Sequence, residues 1–315
     1  MTGSIWAHGV GRVRKGRRPP RRGFFPDRQL WYAAPAVLFL IAFFGYPMLV
    51  LADMSFRKVS LGTAVRGPRP WVGWENYREV LVSADFTAAI PRTFAFVVVV
   101  VIAVLLLGLA LALTLKENLA GVRIGRFLIF FAWLFPPVVT GAVWRNLFNG
   151  TQDGVVNYLL LRLGSIQSPI PFLAEPDVGM VVLTFLTIWT SLPFVVLVLI
   201  ASLQGVPQEL YEAASIDGAN PAQRFQAVTL PSILPSFAMV GILECIYVYK
   251  AFDLILIMTG GGPGTATSTV PFLAYVKAFR ENDFGQGAAL GVVGIVVGVA
   301  IALPYLLRVR RSELS

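Results

Sequence analysis

Cysteine and histidine are almost missing from this chain: Cys245 and His8 are the only ones. One thiol excludes an internal disulfide and a cysteine-based metal site. One histidine, with no Ser/His/Asp or metal-ligand cluster elsewhere, argues against catalysis. Charge is scarce too, at 14% of residues against a usual ~25%. The glycine run Gly260-Gly261-Gly262 is not a phosphate loop, because Gly264 is followed by Thr265-Ala266 where such a loop needs lysine and then serine or threonine. No nucleotide site is encoded.

What fills the space is apolar: 56% of residues are hydrophobic and the mean hydropathy is +0.71, which excludes an ordinary soluble domain. Runs near the ~20 residues needed to cross a bilayer occur at Leu30 to Leu51, Thr93 to Leu115, Phe127 to Phe148, Val178 to Leu203, Leu234 to Met258 and Gly287 to Leu307. The expectation is an all-α, polytopic membrane protein with six transmembrane helices. Thr93 to Leu115 is uninterrupted, whereas Pro136-Pro137 and Pro193 should kink or break their segments. In the sixth run Gly287, Gly291, Gly294 and Gly298 allow close packing.

Lysine and arginine mark the cytoplasmic side of membrane proteins. The stretch Arg12 to Arg28, the residues Lys116, Arg123 and Arg126 after the second run, and Arg308, Arg310 and Arg311 at the end agree on both termini being cytoplasmic in a cell (inner) membrane. The segment Ala52 to Pro91 is long and runs against the rule. The first run is too long for a signal peptide and no small-residue cleavage site closes it, so it counts as an uncleaved span. The net charge of +9 is explained by topology and anionic membrane lipid, without nucleic acid. The division expected is a basic tail over 1–29, disordered through Pro26, a six-span domain over 30–307 and a cytoplasmic tail over 308–315.

Between the fourth and fifth runs, over 204–233, lies a polar segment. Pro207 suits a first helical position, Gln208 to Ile216 are good helix formers, and Gly218 supplies a stop. Asn220-Pro221 restarts a second short helix through Val228, and Pro231 and Pro235 punctuate entry into the fifth run. This helix-turn-helix at the membrane surface is a docking element. A DNA-binding helix-turn-helix would share the turn but not the membrane-length flanks.

The spacing Glu212-Ala213-Ala214, then Asp217-Gly218, then Val228-Thr229-Leu230-Pro231 resembles the EAA loop of permease subunits of ATP-binding-cassette importers, in the carbohydrate-uptake (MalF/UgpA-like) branch. Trp71-Val72-Gly73-Trp74-Glu75-Asn76-Tyr77, Gly154-Val155-Val156-Asn157 and Thr259 to Pro263 after Phe252-Asp253 are similar to further stretches of that family, in the same order. The resemblance implies a type I importer permease fold, a second permease subunit, two ATPase subunits that bind ATP and Mg, and an extracytoplasmic solute-binding protein. No cofactor is expected in this chain. Glu212 to Gly218 would carry ATP-driven motion into the membrane domain. A carbohydrate, such as an oligosaccharide, is the small-molecule cargo expected. Glycerol 3-phosphate or a glycerophosphodiester is the alternative within the class. A self-sufficient secondary carrier or channel is the alternative outside it and would need inverted repeats and its own coupling residues.

Charges within spans are costly and draw attention. Glu244, Lys250 and Asp253 lie in the fifth run, where Lys250 and Asp253, three apart, would pair on one helix face, and Glu244, Tyr247 and Ala251 would form a neighbouring face. With Trp189 of the fourth run, Glu244, Tyr247, Lys250 and Asp253 are the candidates for lining a translocation path. Trp133, Trp144, Trp189 and Tyr247 offer aromatic faces to a sugar, while Lys250 and Arg145 offer cations to a phosphate. On sequence alone both cargo classes stay open.

Overall fold

The computed structural model describes residues 28–116 and 120–312; the expected disorder of Met1 to Pro26 falls outside them. The chain divides into two compact units, Met1–Met48 and Leu49–Ser315. Helix α1 (Arg28–Leu40) continues through a π turn at Ile41–Gly45 into α2 (Tyr46–Ser55). The larger unit goes on with α3 (Leu61–Arg66), α4 (Glu75–Val82), α5 (Ala84–Leu115), α6 (Ala120–Phe131), α7 (Pro137–Leu147), α8 (Val155–Arg162) and α9 (Pro176–Gln204). It closes with α10 (Gln208–Ile216), α11 (Pro221–Arg224), α12 (Leu230–Lys250), α13 (Asp253–Met258), α14 (Val270–Tyr275) and α15 (Phe284–Ser312). Among the described residues the only β pairing is two isolated bridges, so the fold is all-α.

Among the described residues three helices, not six, are long and apolar enough by themselves to cross a bilayer: Tyr32–Ser55, Ala84–Leu115 and Pro176–Gln204, with mean hydropathies of 2.2, 3.3 and 2.3. The third expected span is broken. After α6 a tight turn at Ala132–Leu134 leads to Phe135 and Pro136, both extended (ψ 131° and 145°), before α7 begins. Consecutive prolines explain this, since each drives the residue before it out of the helical region. The fifth span is broken as well, at Ala251 (ψ 92°) between α12 and α13, where no proline stands. Here burial decides: Leu254, Ile255 and Met258 of α13 pack with Val182, Leu183 and Leu186 of α9 and with Phe272. The sixth is apolar over Phe284–Ala300, and α15 runs on to Ser312 through residues expected in a tail.

Pro193, by contrast, does not break α9. One missing bond, to the Trp189 carbonyl four residues back, is all that Pro193 removes from a helix that continues on both sides of it. Packing holds it too: Val195, Val196 and Leu199 of α9 are fully buried with Val100 and Val104 of α5 and Ile233 and Val240 of α12. Lipid is as apolar as these side chains, so close fit rather than exclusion of water keeps the helices together. Gly108 makes that fit possible, because a Cβ there would lie 2.6 Å from Val195 Cγ1. Gly108→Val should therefore destabilise the domain by about 1–3 kcal/mol. A melting temperature in detergent equal to that of the native chain would contradict this contact.

Helix α5 also starts earlier than its apolar run. At about 1.5 Å per residue its 32 residues reach roughly 48 Å, against ~30 Å of hydrocarbon. The added turns carry Arg92, which donates from Nη1 to Thr265 O (2.7 Å) and Ser268 O (3.0 Å), while Thr93 Oγ1 accepts from Val270 N (3.0 Å). These bonds fasten the glycine loop to α5. The Trp71 to Tyr77 and Gly154 to Asn157 stretches hold turns in the same way. Asn76 donates to Ser55 O and Arg57 O at 2.8 and 3.0 Å, and buried Asn157 bonds Asn149 O at 3.0 Å and Ile170 O at 2.9 Å. In α15 Gly294 and Gly298 make room for Tyr249, whose hydroxyl donates to Gly294 O at 2.8 Å.

Candidate functional site

The segment between α9 and α12 has the helix-turn-helix form expected of it, with differences at its ends. Pro207 caps α10 rather than opening it. Beyond Ile216 the chain turns back at Gly218 (φ +77°), where Gly218 N–H donates to Ser215 O (3.1 Å) and Ala219 N–H to Ala214 O (2.9 Å). This bond pair closes the last carbonyls of a helix and requires a left-handed residue, which glycine supplies without steric cost. Asn220 and Gln223 then cap α11 reciprocally, at 2.8 and 2.9 Å.

The second helix does not end near Val228. From α11 a π turn at Phe225–Thr229 passes directly into α12, which contains Pro231 and Pro235 instead of being interrupted by them. Proline lacks the N–H that would bond four residues back. In the π turn the bonding has already shifted by one residue, with Leu230 N–H donating to Phe225 O, so Pro231 follows without ending the helix.

Of the motif residues, Glu212, Ala213, Asp217, Gly218 and Pro231 are exposed, and Ala214 and Leu230 are half-buried. No residue of α10 is buried, and its apolar Ile216 is 86% exposed. The other side of the loop is braced. Tyr211 Oη lies 3.0 Å from Thr229 Oγ1, and its ring stands 5.8 Å from Lys116 Nζ at the end of α5. Ser215 Oγ donates to Tyr211 O (2.7 Å) and accepts from Arg224 Nη1 (3.1 Å).

The two helix breaks open onto one cavity of about 460 Å³. Trp133 and Pro136 line it from the first break, Thr187 and Thr190 from α9, and Tyr247, Lys250 and Asp253 from the second. The expected pairing of Lys250 with Asp253 is absent: the helix ends between them, and among the described residues neither forms an ion pair or a side-chain hydrogen bond. Trp189 is not at this cavity; it stacks edge-to-face on Trp144, centroids 5.4 Å apart, in the cluster around Leu183 and Leu186. Glu244 is not there either. It is 2% exposed and faces Ser191 of α9. Arg145 is likewise outside the lining, donating to Ile257 O at 3.2 Å. Among the described residues no group of His, Cys, Asp or Glu is placed to hold a metal ion.

Residues 104–311 match the family model described as binding-protein-dependent transport system inner membrane component. The chain belongs to this family. The permease is 35% identical over 238 residues to the trehalose/maltose transport system permease protein MalF of Thermococcus litoralis, covering 76% of this chain and 79% of that one. It is 31% identical over 287 residues to the diacetylchitobiose uptake system permease protein DasB of Streptomyces coelicolor, covering 89% and 85%. In fold it superposes on a bacterial ABC transporter involved in the import of the acidic polysaccharide alginate, with a TM-score of 0.77 at 22% identity, covering 90% of this chain and 96% of that one. The permease thus has the all-α, membrane-spanning architecture of type I ABC importer permeases and acts in transport, not catalysis.

Two groups of residues went unread in the sequence of this permease. The Tyr211, Arg224 and Thr229 brace carries no signal, since its members meet only when the chain turns back at Gly218. Thr187 and Thr190 did carry one: with Thr184 they stand three residues apart in an otherwise apolar run, a spacing that puts hydroxyls on one side of a helix.

Proposed function

We propose that this permease crosses the membrane six times with both termini cytoplasmic, its third and fifth crossings built from discontinuous helices. With a second permease it forms the path for a carbohydrate delivered by a binding protein. Its drive comes from two ATPase subunits, which hold ATP and Mg and dock on Glu212, Ala213, Ala214, Asp217 and Gly218, with Leu230 and Pro231 at the base of the loop. What carries the docking role is α10, a helix with no buried residue that leaves Ile216 bare while its opposite side is braced. Leu210 and Ile216, 46% and 86% exposed, leave apolar side chains of this helix open to a partner. The neutral disaccharides in the names of two relatives support the carbohydrate cargo. Cys245→Ala chains carrying Ala214→Cys or Asp217→Cys should crosslink to the ATPase subunit and react only with reagent that has reached the cytoplasm. Labelling by an impermeant reagent outside intact cells would overturn both topology and docking.

A further inference from the structure

We infer that the elbow between α2 and α4 is a membrane anchor, with Trp71 and Trp74 seated among the lipid headgroups and glycerol backbones of the outer leaflet. The choice of leaflet rests on the topology proposed above.

The elbow is built to present these two rings. Val72 N–H donates to Phe56 O (2.9 Å) and Lys58 N–H to Pro70 O (3.0 Å), which sets Trp71 directly across from Arg57. Gly73 (φ +60°) turns the chain between the indoles. Phe56 stacks on Trp71, centroids 5.2 Å apart, and meets Trp74 edge-to-face at 5.1 Å; Tyr77 closes the cluster, its hydroxyl 2.7 Å from Ser55 Oγ. Tyr77 is buried and Phe56 half-buried, whereas Trp71 and Trp74 stay 62% and 70% exposed. Among the described residues neither indole N–H has a hydrogen-bond partner. A lone exposed ring needs no explanation, but two indoles held outward on one braced elbow do.

The level of the elbow says what covers them. Tyr32–Ser55 is long and apolar enough to cross a bilayer, and the elbow begins where that helix ends. On its other side Gly285 of α15 donates its N–H to Val59 O (3.1 Å), and a Cβ on Gly285 would lie 2.5 Å from Arg57 O. Counted back from Leu307, the last apolar residue before Arg308, ~30 Å of hydrocarbon takes up about 20 helical residues and reaches Gly287. The elbow therefore stands at the boundary between hydrocarbon and water. Tryptophan is favoured there, with its ring body against acyl chains and its N–H toward ester and phosphate oxygens. The cation over Trp71, Arg57 at 5.6 Å, is already bound by Asp53 at 2.8 Å, so the rings offer indole surface rather than a charge for an acidic protein. An anchor here holds the outer ends of α2 and α15 at one depth.

The test is the depth of a nitroxide label in the complete transporter, with cysteine-free partner chains, in liposomes of phosphatidylethanolamine and phosphatidylglycerol. In a Cys245→Ala chain the label is carried by Trp71→Cys, Trp74→Cys or Glu75→Cys, with Asp153→Cys, exposed in the loop after α7, as the water reference. Collisions with oxygen, which concentrates in lipid, are compared with collisions with a water-soluble nickel chelate. The oxygen-to-nickel ratio at all three positions should be several-fold that of the reference, with or without the binding protein. Glu75→Cys keeps both indoles, so its reading does not depend on replacing a ring. Adding Trp71→Ser and Trp74→Ser to it should bring the ratio down toward the reference, whereas Trp71→Tyr with Trp74→Tyr should keep it raised. A ratio at Glu75→Cys equal to the reference would overturn the anchor. Suppression of both kinds of collision would overturn it too, in favour of cover by the second permease, or by the binding protein if suppression needs that protein present. Modification of Trp74→Cys by an impermeant thiol reagent only from the cytoplasmic side would sink the topology and leave the interfacial depth standing.

Discussion

Gly218→Val is expected to reduce solute uptake by the reconstituted transporter about tenfold or more, with the complex still assembled. The φ of +77° at this position costs an L residue about 1–2 kcal/mol and a β-branched one more. A Cβ there would meet nothing within 4 Å, so the damage is to backbone conformation and not to packing, and it stays local. Relaxing the strain would break the bonds from Gly218 and Ala219 to Ser215 and Ala214 and re-aim α10. Coupling between sites is typically worth 1–3 kcal/mol, so re-aiming the docking helix is enough to remove most of it. Uptake and uptake-stimulated ATP hydrolysis should fall together. Gly218→Asn, which tolerates the left-handed region, should keep most of both. Wild-type uptake by Gly218→Val would mean that this loop does not couple ATP hydrolysis to transport.

The largest expected difference is between the permease alone and the permease in its complex. Purified into liposomes by itself, the chain should accumulate no solute under any ion gradient, because it encodes no nucleotide loop and no recognisable ion-coupling site. Adding the second permease, the ATPase and the binding protein should produce ATP-dependent uptake from a zero background. Accumulation by the lone chain, driven by protons or sodium, would refute the importer-subunit reading and favour a self-sufficient carrier.

Much of the docking loop was legible because its signals are local. Pro207, Gly218 and Asn220-Pro221 each act within one turn of helix, and chain geometry alone dictates what they do. The third-span break was legible for the same reason, from Pro136-Pro137. The fifth-span break was not, since Ala251 and Phe252 are unremarkable residues and the helix yields there to burial of Leu254, Ile255 and Met258 against a helix far away in sequence. That one unread break separated Lys250 from Asp253 and turned an expected ion pair into two open walls of a cavity. Pro193 and Pro231 misled in the other direction, because proline forbids one hydrogen bond and the surroundings decide whether the helix survives losing it.

From Pro221 to Lys250 the chain is helical without interruption, through α11, the π turn and α12, a length of about 45 Å at 1.5 Å per residue. One end carries the turn that follows Gly218; the other carries Tyr247 and Lys250 at the cavity. A hydrogen-bonded helix stretches and bends little, so under the docking role proposed above a tilt imposed at the loop end would reappear at the cavity wall. The first joint it meets is Ala251, where the backbone extends and the next helix begins.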